Sequence, residues 1–337
     1  MIENKSGYAG GGREGGPRVR CRQGRRRFLK QLAAGAAAIV GSQAVASDAH
    51  AEPADQGSSE PDASKMPAIK IGRYAVSRLV AGSNPIGGYS HSTLNLARHM
   101  QEYFTLDRTV EFISRCEQYG INTWQSGHGP NQKVVDALRT LRERGSRIQW
   151  LCLAWEGRGH KPVSDIVGLR PIAIVHHGGV TDSLFRTGQG EKVHDFVKKI
   201  HDAGVLAGIS AHNPANIAHA EEKGWENDFF MTCFYHISRP AEEIRAKLGT
   251  VPLGEPFLES DPDEMTAVVR QVKRPCLGFK ILAAGRLCWH EPSVESAFKY
   301  AFSHIKKTDG VIVGMYPKFS DEIGMNVRLT LKYGKPG

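Results

Sequence analysis

Five of the 14 histidines in the sequence fall where short apolar, β-branched runs stop: His128, His176, His177, His212 and His236. Positions beside eight strand ends would collect only about one histidine by chance, and in a barrel of parallel strands the C-terminal strand ends share one mouth. Asn84, Gln125, Glu156, Asn213, Tyr235, Lys280, Arg286 and Tyr316 stand at or just past the same ends. Two chemistries use such a ring. Neutral imidazoles with a carboxylate can hold a divalent metal and leave a position open for substrate, and His128, Glu156, His176, His212 and His236 supply that set. Alternatively, a histidine relays a proton or orients a carbonyl, since its unperturbed pKa lies near neutrality. Lys280, in an apolar strand, can contact a cofactor or substrate, or form a Schiff base with a carbonyl.

The elements that must bring these residues together are legible as eight runs alternating with helical patterns, the signature of βαβ units. The runs are 78–82, 121–124, 149–154, 172–175, 206–209, 229–234, 276–280 and 310–314. Val110, Ile113 and Cys116 recur at helical spacing before Gly120, as do Val134, Leu138 and Leu141 before Gly145, and Gly204 ends a third helix from Glu191. No Gly-x-Gly-x-x-Gly opens a helix after the first run, which argues against a doubly wound dinucleotide fold. The expected fold is α/β, a single (β/α)8 TIM barrel. Residues 66–77 are expected to form a hairpin across its bottom. Two long connections, 87–105 and 240–263, fall on the active face, where they shape a lid or substrate entrance.

The formal charge of +9 is concentrated at the N-terminus. The first 46 residues hold nine Lys/Arg and two Asp/Glu, leaving 35 basic against 33 acidic side chains. So nearly neutral a remainder has no footprint for nucleic acid or anionic lipid. Gly24-Arg25-Arg26-Arg27-Phe28-Leu29-Lys30 resembles the twin-arginine translocation motif, and the Ala/Gly-rich stretch from Leu32 to Val45 is too short to span a bilayer. The reading is a signal peptide over 1–46, a Pro/Ser/acidic linker over 47–66 and a barrel over 67–337. The protein is thus exported, periplasmic or extracellular, with the twin-arginine translocon as its partner in transit. Cys116, Cys152, Cys233, Cys276 and Cys288 show no C-x-x-C spacing, so small buried hydrophobes are expected rather than a metal cluster.

From about Ile69 onward the order of motifs resembles the aldo/keto reductase superfamily. The likeness is carried by GRYAVSRLVAGSNPIGG over 72–88, Gly120-Ile121-Asn122-Thr123-Trp124, His177-Gly178, Gly208-Ile209-Ser210-Ala211-His212-Asn213 and Ile312-Val313-Gly314-Met315. That family uses an Asp, a Tyr and a Lys as a proton relay beside a carbonyl-orienting His. Here Gln125 stands at the Asp position, His128 near the Tyr, and Ala154 or Trp155 at the Lys. His177 matches the histidine, or His176 if the strand shifts by one. The resemblance implies NADP or NAD as cofactor, with Ser210 and Asn213 at the nicotinamide amide, Phe279 stacked on the ring, and Lys318 with Asn326 at the adenosine end; Lys280 is a further expected cofactor contact.

The function expected from all this is an exported aldo/keto reductase-like oxidoreductase acting on a sugar or other polar carbonyl compound, with His128 and His177 as an altered relay. A metal-dependent lyase, isomerase or hydrolase of carbohydrates on the same barrel, and a ligand-binding relic without catalysis, are the competing readings.

Overall fold

Each helix begins and ends where local chemistry demands. Thr105 and Asn131 accept hydrogen bonds from Arg108 N and Val134 N, capping helices that stop at Gly120 and Gly145, both in the left-handed region. The structure is a computed structural model and describes residues 62–127, 131–157 and 162–335.

A hairpin of β1 (Ala68–Ile71) and β2 (Tyr74–Ser77) precedes the barrel strands β3 (Leu79–Gly82), β4 (Thr123–Ser126), β5 (Gln149–Ala154), β6 (Ala173–His176), β7 (Leu206–Ala211), β8 (Phe229–Cys233), β9 (Cys276–Phe279) and β10 (Gly310–Gly314). All eight barrel strands pair in parallel, and β10 closes on β3 with Val311 opposite Leu79 and Gly314 opposite Gly82. The (β/α)8 barrel expected from the alternation is therefore present.

The helices are α1 (Asn84–Gly87), α2 (Leu94–Tyr103), α3 (Leu106–Gln118), α4 (Gln132–Glu143), α5 (Val163–Gly168), α6 (Gly178–Arg186), α7 (Glu191–Asp202), α8 (Pro214–Glu222), α9 (Ala241–Leu248), α10 (Asp261–Gln271), α11 (Glu291–His304) and α12 (Glu322–Tyr333). None among the described residues is long and apolar enough to cross a membrane.

Strand alternation divides the core in two. Val80, Leu151, Leu153, Val175, Phe229, Met231, Leu277 and Ile312 fill the lumen, joined from below by Ile69, Ile71 and Val76 of the hairpin. Their neighbours along each strand, such as Trp124, Ile174, Ile209 and Val313, pack outward against the helices. The hairpin therefore closes the bottom, and side chains at the other end are left to form a mouth. Four of the cysteines, Cys116, Cys152, Cys233 and Cys276, are buried, whereas Cys288 is exposed on the loop after β9.

Candidate functional site

Alternation decides which strand-end residues can share that mouth. In β6, Ala173 and Val175 belong to the lumen and Ile174 to the outer layer, so His176 turns outward and His177 inward. His176 packs edge-on against Phe196 of α7, and its Nδ1 lies 2.7 Å from Thr181 Oγ1, which itself donates to the His177 carbonyl. Burial pushes the His176 pKa down to about 4. Its position is that of a satisfied neutral core histidine, and it leaves the ring of candidates. His177 instead lies 4.8 Å from the Trp155 ring, at the end of the lumen column.

By the same rule Gln125, opposite Gly82 and Leu151, and Ser210, between the outward Ile209 and Ala211, face inward. Glu156 does not. It is exposed and forms an ion pair with Lys199 of α7 on the outer layer. Among the described residues no three His, Cys, Asp or Glu side chains are grouped to hold a metal. The five-residue metal set is thus not assembled as proposed: Glu156 and His176 face away. His236 sits beside Arg239, with its pKa lowered by burial and then by that charge. His128 lies outside the described residues, as does the leader.

The ordered centre is His212. Its Nδ1 lies 2.9 Å from Asp182 Oδ2, and the same carboxylate accepts from His212 N, Asn213 N, Asn216 Nδ2 and Ser238 Oγ. Burial alone would raise the Asp182 pKa, but these bonds, His212 foremost, outweigh it and hold the carboxyl below its usual range. For His212 burial dominates and lowers the pKa, with Asp182 pulling it partly back. The result is an imidazole that is neutral near pH 7, with Nδ1–H fixed on a carboxylate. Its Nε2 has no hydrogen-bond partner among the described residues, which is the arrangement of a general base.

Gly178 makes the close packing possible. A Cβ there would lie 2.9 Å from Ser210 Oγ and 3.2 Å from the His212 ring. Asp182 was not anticipated from sequence, although it carries a signal: it falls on the buried stripe of α6 with Gly178 and Thr181.

The two long connections meet above this centre. His91 Nδ1 donates to Glu255 at 2.8 Å, Asn84 Nδ2 donates to His91 Nε2 at 3.1 Å, and Arg286 donates to the His91 carbonyl at 3.0 Å. Burial would raise the Glu255 pKa, but the His91 bond and the charges of Lys280 and Arg286 lower it. The insertion after β8 is tied down by Arg239, whose fully buried guanidinium binds Asp261 at 2.7 Å and also Glu243 and Glu264. The ring of His212 meets Phe279 edge to face at 5.6 Å, and the Lys280 ammonium lies 5.2 Å from the centroid of that same ring.

The residues assigned to a nicotinamide nucleotide divide. Ser210 and Phe279 stand beside His212, and the fully buried Ser210 Oγ lacks a hydrogen-bond partner among the described residues. Asn213 caps α8 through its own side chain. At the expected adenosine end, Lys318 Nζ donates to His99 Nε2 at 2.5 Å, and Asn326 is buried within the fold, its Oδ1 without a partner among the described residues. Helix α2 docks there, with Tyr103 OH bonded to the Pro317 carbonyl and His99 stacked on Phe319. The α12 N-terminus is filled by the Asp321 carboxylate, and Glu322 accepts from Tyr316 N. Two carboxylates and an engaged lysine do not fit a pyrophosphate in this arrangement.

No protein-family model matches the chain, and no curated protein matches it by sequence. Two structures of a protein from Pseudomonas aeruginosa assigned as an aldo-keto reductase are similar to it in fold, with a TM-score of 0.53 and 14% identity, covering 80% of this chain and 95% and 94% of theirs. A glycerol dehydrogenase from Gluconobacter oxydans gives a TM-score of 0.44 at 13% identity over 82% of this chain and 98% of its own. At such identities the likeness is one of fold.

Proposed function

We propose that the protein is an exported enzyme on an aldo/keto reductase-type barrel that moves a proton on a small polar carbonyl compound, such as a sugar, using His212 as base. The observation that carries this is the buried Asp182–His212 pair at the C-terminal mouth, with Nδ1 committed to the carboxylate and Nε2 unengaged among the described residues. An inward His177, Gln125 and Trp155 supply donors and an apolar wall around the same opening. Superfamily membership rests on the motif order together with the fold likeness.

A second reading, the nicotinamide-dependent oxidoreductase, is favoured by one feature, the orphaned Ser210 hydroxyl beside Phe279 and His212. The misfit at the α12 end stands against it. One sample separates the two. Protein purified from its native export route and denatured should release no nicotinamide nucleotide, while the folded protein should promote solvent-deuterium exchange next to the carbonyl of dihydroxyacetone. Released nucleotide together with an absence of exchange would overturn the proton-transfer reading in favour of the redox one.

A further inference from the structure

The loop that follows β9 departs from ordinary backbone at three places. Lys280 has φ 60°, Ala283 φ 48° and Ala284 φ 51°, all in the left-handed region that L residues with a Cβ avoid. Such conformations cost about 1–3 kcal/mol each and persist where surrounding structure enforces them, commonly at working sites. Here the Ala283 N–H donates to the Lys280 carbonyl at 2.7 Å, and the packing of Ile281 and Ala283 in the core locks the turn. The effect is to break the strand's alternation at Lys280. Continued extension would send that side chain outward with Cys276 and Gly278. The left-handed residue instead brings the ammonium over the Phe279 ring.

Lys280 has no hydrogen bond or ion pair among the described residues. Its ammonium and the His212 ring lie against the same Phe279 ring, 5.2 and 5.6 Å from its centroid, and its charge helps to lower the pKa values of His212 and Glu255. A half-buried cation with no anionic partner among the described residues, beside a histidine whose Nε2 is unengaged among them, is suited to a charge that exists only while substrate is bound.

We infer that Lys280 is the oxyanion-stabilising residue for an α-hydroxy carbonyl substrate, its ammonium pairing with the enediolate oxygen formed when His212 takes the adjacent carbon-bound proton. This rests on the proton-transfer reading above. The balance is redox-neutral: the C–H pair becomes a C=C bond, the carbonyl π pair moves to oxygen, and the proton resides on His212 Nε2. Its return to the other carbon, with the remaining hydroxyl proton passing to the oxygen paired with Lys280, gives an isomer. Its delivery to a β-hydroxyl, with collapse of the enediolate, releases water and gives an elimination product. The substrate class is therefore a sugar or sugar-like compound with a hydroxyl beside its carbonyl, and no electron acceptor is required.

The test is deuterium exchange from D2O into dihydroxyacetone, followed by proton NMR, for the full folded protein and for Lys280→Met, Lys280→Arg and Lys280→Gly. Loss of one oxyanion donor lowers turnover by about 100-fold or more, so Lys280→Met should fall by that factor in kcat with KM changed far less. Lys280→Arg should retain more of the rate. Lys280→Gly should lose exchange just as Met does yet melt no lower than wild type, because glycine accepts φ 60° without strain. Exchange by Lys280→Met within threefold of wild type would overturn the assignment, and so would a Lys280→Gly variant that loses activity only because it melts lower. Borohydride added with dihydroxyacetone should leave Lys280 unmodified; a reduced adduct on it would replace the electrostatic role with an imine. Absence of exchange in the wild type would sink the proton-transfer reading itself, a different outcome from any of these.

Discussion

Two histidines one strand-end apart show how a single residue's direction sets its chemistry. His176 is adjacent to the matched His177 in sequence, yet it is 3% exposed and neutral among apolar side chains. Its folded pKa of about 4 lies below the unfolded value, so the unfolded chain binds the extra proton between those limits. Stability is therefore full above about pH 6.5 and falls as pH drops toward 4, by about 3 kcal/mol at most from this group. His176→Asn, which keeps a donor for Thr181, should flatten that part of a urea-denaturation pH series whatever its effect on absolute stability. At His212 the sign of the partner matters. Asp182 raises the His212 pKa against the burial that lowers it, so Asp182→Asn should move the acid limb of the exchange profile to lower pH. It should also cut the maximum rate by about 100-fold or more, since the ring loses the group that fixes its tautomer. An unchanged acid limb would mean that another group titrates there.

At the scale of elements, the strands were legible because lumen and outer-layer positions are apolar alike, giving continuous runs bounded by glycine and polar turns. Their ends were less so: β4 runs two residues later than the pattern at 121–124 suggests, and β6 extends one residue further to include His176. That single-residue shift decides which histidine faces the mouth, and periodicity could not supply it. Asp182 escaped notice because one acidic residue on a helix reads as solvated, and only tertiary packing of α6 on β7 buries it. The same holds for His91 and Glu255, which are 164 positions apart. Their meeting depends on the Arg239–Asp261 pair, both side chains 0% exposed, anchoring the insertion between β8 and α10. Arg239→Ala strands a buried carboxylate and should destabilise the fold by about 3–5 kcal/mol, measurable by urea unfolding. Hydrogen exchange at 251–260 should rise along with it, even under conditions where the barrel strands stay protected.

On the scale of the whole molecule, closure of the sheet means that no strand edge is left among the barrel strands, and the lumen is sealed below by the hairpin. The proposed chemistry lies at the opposite end, where the loops after β3, β8 and β9 meet through His91, Glu255 and Arg286. Among the described residues the cysteines are free thiols, four of them buried in the core. Nine of the 44 basic residues lie in the first 46 positions, three of them consecutive at Arg25-Arg26-Arg27. If the leader directs twin-arginine export, the pair must be read as arginine rather than as positive charge. Replacing Arg25, Arg26 and Arg27 together by lysine preserves net charge and leaves the barrel untouched, so the folded, exchange-active protein should accumulate inside the cell instead of outside the inner membrane. Normal export of that variant, followed by cell fractionation and immunoblotting, would show that the basic stretch acts through charge alone and that the twin-arginine assignment is mistaken.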